Sequence, residues 1–301
     1  LQLPESCAYD ADSGAVFVTN VGGSELTPAA VQARDGNGFI ALARMDGVLV
    51  EPRFLPTPGA PPLHGPKGCV YANRMLYVVD IDRVVVFDPR QRRQVAEFSL
   101  AAFQPGFAND IVVAGERIFV TDTATDRILM LAQRSGDALG AMPALCRGAN
   151  GLSVAARGRN GLIVAGFDFA QPEAGEVRQF LMRDGAPAEM QQLPFAGGQW
   201  DGIQVLSDGR IVASDWRSGA LWIAQDGFAA SKVGEGGLQG PADFCLISDQ
   251  FALVPEMAAN RLRLVPLPEA LRVAPEPGTE AAATAPTPTD APVAPATDAQ
   301  R

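Results

Sequence analysis

One opening recurs along the chain: a polar residue, then an apolar strand, a turn and a second strand. It reads PESCAYD at Pro4, GPKGCVYA at Gly65, FANDIVVA at Phe107, GANGLSVA at Gly148, QWDGIQVL at Gln199 and GPADFCLI at Gly240. The second strands are AVFVTN, MLYVVD, RIFVTD, LIVAGFD, RIVASD and QFALVPE, and a third follows, as in RVVVFDP and RILMLAQ. Gly, Pro, Asn and Asp punctuate these segments, and long helical periodicity is absent. The polar residues of the openings, Glu5, Lys67, Asn109, Asn150, Asp201 and Asp243, return at intervals of 41 to 62 residues. A unit of three or four strands at that spacing cannot bury its own faces, whereas a ring of such units buries them against one another. Six units therefore predict an all-β, six-bladed β-propeller. The longest interval holds SELTPAAVQARDGNG, read as an insertion with one helical turn. The sixth unit shows no fourth strand after RLRLVPLP, and Leu1 to Leu3 are too few residues to complete it.

The chain has 301 residues, of which 47% are hydrophobic, enough for a sizeable core. Its net charge of −10, without a basic run, argues against nucleic acid or an anionic membrane surface as partner. No stretch approaches the roughly 20 apolar residues of a spanning helix, so membrane insertion is not expected. The single histidine, His64, excludes His-rich zinc sites, and G-x-S-x-G, P-loop and G-x-G-x-x-G motifs are missing. None of Cys7, Cys69, Cys146 and Cys245 forms C-x-x-C. Cys7, Cys69 and Cys245 follow the polar position by two residues in blades that are neighbours if the ring closes. One disulfide among them is conceivable, with small buried hydrophobes near the axis as the favoured reading. The sequence begins at Leu1 and reads as a mature chain, for which a periplasmic or secreted location is expected. Residues 273–301 are Ala/Pro/Thr-rich and lack aromatic, Leu and Ile residues. They are expected to be a disordered tail behind a propeller of residues 1–272.

In a propeller the first strand of each blade lines the central channel, so the six polar residues converge in a ring. Hard oxygen ligands without thiolate or imidazole suit Ca²⁺, or less specifically Mg²⁺ or Mn²⁺. The same residues could equally hydrogen-bond loops around a wet channel. Asn20, Asp80, Asp122 and Asp215 end second strands and read as turn-capping scaffold, as do Asp82-Arg83, Asp126-Arg127 and Asn260-Arg261. His64 reads as a loop histidine.

The segments PES, FAND, GANGLSV and WDGIQV, in this order and at blade spacing, resemble the openings of the gluconolactonase/regucalcin family and of the related six-bladed paraoxonases. The resemblance spans Pro4 to Pro268. It implies that Glu5, Asn150 and Asp201 are metal ligands and that Asn109 joins the metal or substrate shell, with Ca²⁺ the expected cofactor. Two departures alter the chemistry. Where gluconolactonases place an arginine that contacts a sugar, this chain has Phe107, which points to a less polar small-molecule substrate. Lys67 stands where paraoxonases carry a catalytic histidine, and it is expected to pair with Glu5 or Asp243. The resulting expectation is a metal-dependent lactone or ester hydrolase acting at the channel mouth. Asp201 and Lys67 would be catalytic, and Asn109, Phe107 and Asp243 would bind substrate. Glu5, Asn109, Asn150 and Asp201 would hold the metal. The alternative is a non-enzymatic, ligand- or partner-binding propeller whose divalent ion fastens the blades.

Overall fold

Each repeat folds as one antiparallel meander, and six meanders form the ring. The computed structural model describes residues 1–144, 146–155, 161–183, 186–225 and 228–270. Five sheets have four strands and the sixth has three, each built from one continuous stretch of chain. The innermost strands are Pro4–Asp10, Pro66–Ala72, Ala108–Ala114, Ala149–Val154, Trp200–Val205 and Cys245–Ser248. The expected tail, and its boundary after residue 272, lie outside the described residues.

The second strands have both faces covered by neighbouring blades. This is why Met75–Asp80 and Arg117–Asp122 read as almost unbroken apolar runs rather than alternating ones. The core is accordingly not one mass: among the described residues six wedges each lie between two adjacent blades, and a seventh cluster of Leu3, Val21, Val31, Phe107, Ala242 and Met257 sits at the channel mouth. Leu76, Val78 and Phe87 pack with Phe17 and Ile40 between blades one and two, and Ile163 and Val177 with Trp200 and Ile203 between blades four and five. Outer strands such as Arg93–Ser99 are largely exposed and polar. The insertion after the first blade's second strand contains a single 3₁₀ turn, Ala30–Gln32, whose Val31 is buried.

Among the described residues no strand crosses from the first blade to complete the sixth. Closure rests instead on an apolar wedge of Cys7, Val16, Val18 and Phe39 with Cys245 and Leu253, on the packing of Leu3 and Val21 against Ala242 and Met257, and on polar contacts. Ser6 Oγ donates to Asp243 Oδ2 at 2.6 Å, and the Leu3 N–H donates to Asn260 Oδ1 at 2.6 Å. Asn260 occupies the left-handed region at φ 53°, as does Asp126 at the same φ. Asp126 Oδ1 accepts the Gly148 N–H at 2.6 Å. The same corner residue thus ties blade three to blade four and blade six to blade one.

Candidate functional site

Two local devices aim the channel residues. The first is a clamp, in five of the six blades, on the loop that enters the blade; the fourth blade's entry loop is held by Asp126 instead. Asp80 Oδ1 accepts the N–H groups of His64 and Gly65 at 2.9 and 2.8 Å, just ahead of Lys67. Asp122 Oδ1 accepts those of Gly106 and Phe107 at 3.1 and 2.8 Å, ahead of Asn109. Asp215 does the same for Gln199, Glu256 for Gln239 and Asn20 for Gln2. Arg83, Arg127 and Arg261 hold the second oxygens of Asp80, Asp122 and Glu256. The strand-end acids and the arginines that follow are scaffold, as their spacing suggests, and what they hold in place is the entrance to the channel. The His64 side chain accepts the Gly36 N–H at Nδ1, 3.1 Å away, as part of a loop.

The second device is a β-bulge at the channel position of the first five blades, where the register slips between Pro4 and Ser6, Pro66 and Cys69, Ala108 and Ile111, Ala149 and Leu152, and Trp200 and Ile203. A bulge removes a residue from the ladder and re-aims its side chain. The N–H groups freed in this way are taken by hydroxyls near the ends of second strands. Thr19 Oγ1 accepts from Ser6, Thr121 Oγ1 from Asp110 and Ser214 Oγ from Gly202, at 3.0, 2.9 and 2.8 Å. Thr121 and Ser214 pass their own protons to the next blade, at Asn150 O and Ala242 O. Glycine follows Lys67 and Asp201 because the channel is tight: a Cβ on Gly68 would lie 2.5 Å from Asp110 Oδ1, and one on Gly202 2.7 Å from the Asp243 Cα.

Together these devices bring five of the six channel residues, Glu5, Lys67, Asn109, Asn150 and Asp201, to the floor of one cavity of about 310 Å³. Phe107, Phe167, Phe169 and Trp216 form an aromatic wall, and Leu26 and Thr27 of the insertion lie across from it. The rings touch in series, with centroids 6.1 Å apart for Phe107–Phe169, 5.1 Å for Phe167–Phe169 and 6.2 Å for Phe167–Trp216. Leu26 and Phe169 are exposed at the rim, 42% and 56% accessible. Asp243 does not line this cavity. With Asp110 it lines a second cavity of about 250 Å³, together with Cys69, Ser153 and Gln204.

Lys67 also departs from expectation. Its ammonium pairs with neither Glu5 nor Asp243 but donates to Val31 O at 3.1 Å and Gly65 O at 3.2 Å, 4.9 Å from the centre of the Phe107 ring. Two carbonyl dipoles and a π face replace water around the charge. Burial lowers its pKa to about 8, against the opposing pull of Glu5 and Asp80. The carboxylates respond in the other direction. Burial, and then repulsion from Asp201, pushes Glu5 well up; burial and Asp243 do the same to Asp201 and Asp110. Asp243 is raised to about 7 by burial, opposed by its bond from Ser6.

Among the described residues, the buried side-chain oxygens without a partner are Glu5 Oε2, Asp201 Oδ1 and Asp243 Oδ1. Desolvated, mutually repelling carboxylates with free lone pairs call for a cation. Asn109 adds a directed oxygen. The Thr123 hydroxyl donates to Ala149 O at 2.8 Å and can only accept from Asn109 Nδ2, at 3.3 Å, so the Asn109 carbonyl turns the other way. No three His, Cys, Asp or Glu side chains among the described residues stand in metal-holding geometry. An ion here would therefore draw on the amide oxygens of Asn109 and Asn150 besides Glu5 and Asp201, and that mixed oxygen set suits a hard divalent cation. Sequence reasoning missed Asp110, the aromatic wall beyond Phe107, and the hydroxyls of Thr19, Thr121 and Ser214. The hydroxyls left a signal, since each precedes the last residue of its second strand.

No family model matches this sequence, and no curated protein matches it. Its fold is similar to that of solved propellers. A "putative gluconolactonase" is 15% identical with a TM-score of 0.60, over 88% of this chain and 91% of the other. A "putative 6-phosphogluconolactonase" from Bacteroides uniformis is 16% identical with a TM-score of 0.58, over 88% and 81%. Virginiamycin B lyase from Staphylococcus aureus, solved with quinupristin, is 13% identical with a TM-score of 0.55, over 88% and 94%.

Proposed function

We propose that this protein is a metal-dependent hydrolase of lactones or esters that carry an apolar portion. The observation that carries this reading is the pair of buried, unpartnered oxygens, Glu5 Oε2 and Asp201 Oδ1, beside an aromatic-walled cavity. The lactonase names of two of the structures it resembles lend support.

Glu5, Asn109, Asn150 and Asp201 would hold the cation, most simply Ca²⁺. When bound, such an ion supplies Lewis acidity for an ester carbonyl and for the negative charge that develops on it. The chain's own residues do the rest. Phe107, Phe169 and Trp216 take the apolar part of the substrate and keep bulk water from the reacting carbonyl. Asp201 accepts the proton of the attacking water. Lys67 spends two of its three N–H donors on Val31 and Gly65, which leaves one for an oxyanion or a substrate oxygen. Asp243, outside the cavity, has no substrate to touch and instead fastens blade six to Ser6.

The test is turnover of a panel of alkyl-substituted γ- and δ-lactones and aryl esters with Ca²⁺, with chelator, and with Ca²⁺ restored. Hydrolysis that vanishes on chelation and returns with the metal supports the reading. If calorimetry shows bound metal, circular dichroism shows an intact fold and nothing is hydrolysed, the protein is a binding propeller fastened by its ion.

A further inference from the structure

We propose that Cys7 and Cys245 form a disulfide that closes the propeller ring covalently when the chain folds in an oxidising compartment. Their sulfurs lie 3.1 Å apart across the seam between the first and sixth blades, although 238 residues separate them in sequence. All four cysteines are present as thiols, and this is the pair whose sulfurs meet. Cys69 turns its sulfur toward Ser6 Oγ at 3.6 Å and Phe17 O at 4.0 Å, and Cys146 lies in the wedge between blades three and four.

The seam is where a tether has most effect. Among the described residues the sixth sheet stops at three strands and borrows none from the first blade, so closure otherwise depends on apolar packing and a few hydrogen bonds, among them one from the Cys7 thiol to Leu253 O at 3.2 Å. A cross-link spanning almost the whole folded chain also removes more freedom from the unfolded state than one closing a short loop. Such bonds persist outside the reducing cytosol.

The oxidant is a disulfide, either a small molecule such as glutathione disulfide or that of a dithiol-oxidising protein. The thiolate of one cysteine attacks a sulfur of the oxidant, forming a mixed disulfide and releasing the other sulfur, which takes up a proton. The thiolate of the second cysteine then attacks the first cysteine's sulfur, forms the Cys7–Cys245 bond and expels the second thiol. The two cysteines lose two electrons and two protons, and the oxidant's disulfide gains both. Cys7 and Cys245 are only 3% and 6% accessible. Burial, with the contact from Cys245, also pushes the Cys7 thiol up, so the closed ring offers little thiolate. The exchange therefore belongs to the stage before blades one and six have met.

The full chain is refolded from denaturant, in chelator, with a glutathione redox pair, and free thiols are then alkylated under denaturing conditions and mapped by mass spectrometry. Two of the four cysteines should escape alkylation and appear in one linked peptide pair holding Cys7 and Cys245. The thermal midpoint should stand roughly 5–10 °C above that of the same protein kept in reductant. Cys245→Ser should lose both effects, and a Cys69→Ser/Cys146→Ser double variant should keep them. Four alkylated cysteines after oxidative refolding, or a link through Cys69 or Cys146, overturns the proposal. If Cys245→Ser does not fold, the wild-type map decides alone.

Discussion

The Lys67 ammonium sits 4.9 Å from the centre of the Phe107 ring, and its hydrogen bonds go to the carbonyls of Val31 and Gly65 rather than to a carboxylate. A positive charge held this way serves the cavity without neutralising the acids on the floor. Lys67→Met keeps the apolar stem and removes the charge. Turnover should fall by about 10²-fold if the remaining donor meets the developing oxyanion. Calcium affinity should rise several-fold, because a neighbouring charge of like sign to the ion is gone. Initial rates and calorimetry on the one variant read both effects, and weaker calcium binding would count against this placement of the charge.

Glu5 and Asp201 exchange stability for binding. Glu5→Gln or Asp201→Asn relieves a buried, unpartnered carboxylate, so the metal-free fold should gain about 1–3 kcal/mol. The same change should cost at least about tenfold in calcium affinity by removing a charged ligand. Denaturant melts in chelator measure the first and calorimetry the second. Loss of stability without metal would show that these oxygens have partners after all.

The acid cluster gives the metal-free protein an inverted pH response. Asp243 has its pKa raised to about 7, against an unfolded value near 3.9, so between those values the folded state holds a proton that the unfolded chain has released. Stability therefore falls as pH rises through that window. Glu5, Asp110 and Asp201, raised by burial and mutual repulsion, act in the same direction. Asp249 and Glu256, held low, act oppositely but have nearly finished titrating by about pH 5.5. In chelator the thermal midpoint should drop between about pH 5.5 and 7.5, and excess Ca²⁺ should reduce or reverse that drop. A midpoint that rises with pH in chelator would contradict the desolvation described for these acids.

The corner residues should be separable by position. Asn260→Ala and Asp126→Ala each remove the acceptor of a 2.6 Å bond from the next blade, at Leu3 and Gly148. Both should destabilise by about 1–2 kcal/mol. Asn260→Ala should also increase amide exchange in the first blade's opening strand, because only there does the bond close the ring. Equal exchange in the two variants would mean that closure does not depend on Asn260.

Much of this was legible in the sequence, for reasons that also explain what was not. AVFVTN, MLYVVD and RIFVTD coincide with the second strands Ala15–Asn20, Met75–Asp80 and Arg117–Asp122, because strands buried on both faces must be apolar and β-branched throughout. The outer strands were not identified; Ala138–Pro143 and Arg93–Ser99 face solvent and follow no such pattern. Five of the six channel residues could be placed at one cavity because blade symmetry fixes their height. Asp243 could not: Pro241 pairs with Glu256 as Pro66 does with Asp80, so Ala242 takes the sixth channel position and Asp243 stands one residue further on, at the place of Asp110 in blade three. Phe167, Phe169 and Trp216 lie on loops whose course the repeat does not dictate. The partners of Lys67 depended on Val31, carried by an insertion that no other blade has.

Sheets made from unbroken stretches of chain also set an order of assembly. Each blade can form as soon as its own forty to sixty residues have left the ribosome, and each new blade finds the flank of the one before it already in place. Contacts stay local until the last unit arrives, which keeps most of the search short despite the all-β architecture. One event alone requires the two ends of the domain to find each other, and until it happens the unfinished arc exposes an apolar flank at either end. The hazard for this protein during synthesis is thus a second arc docking where its own sixth blade belongs.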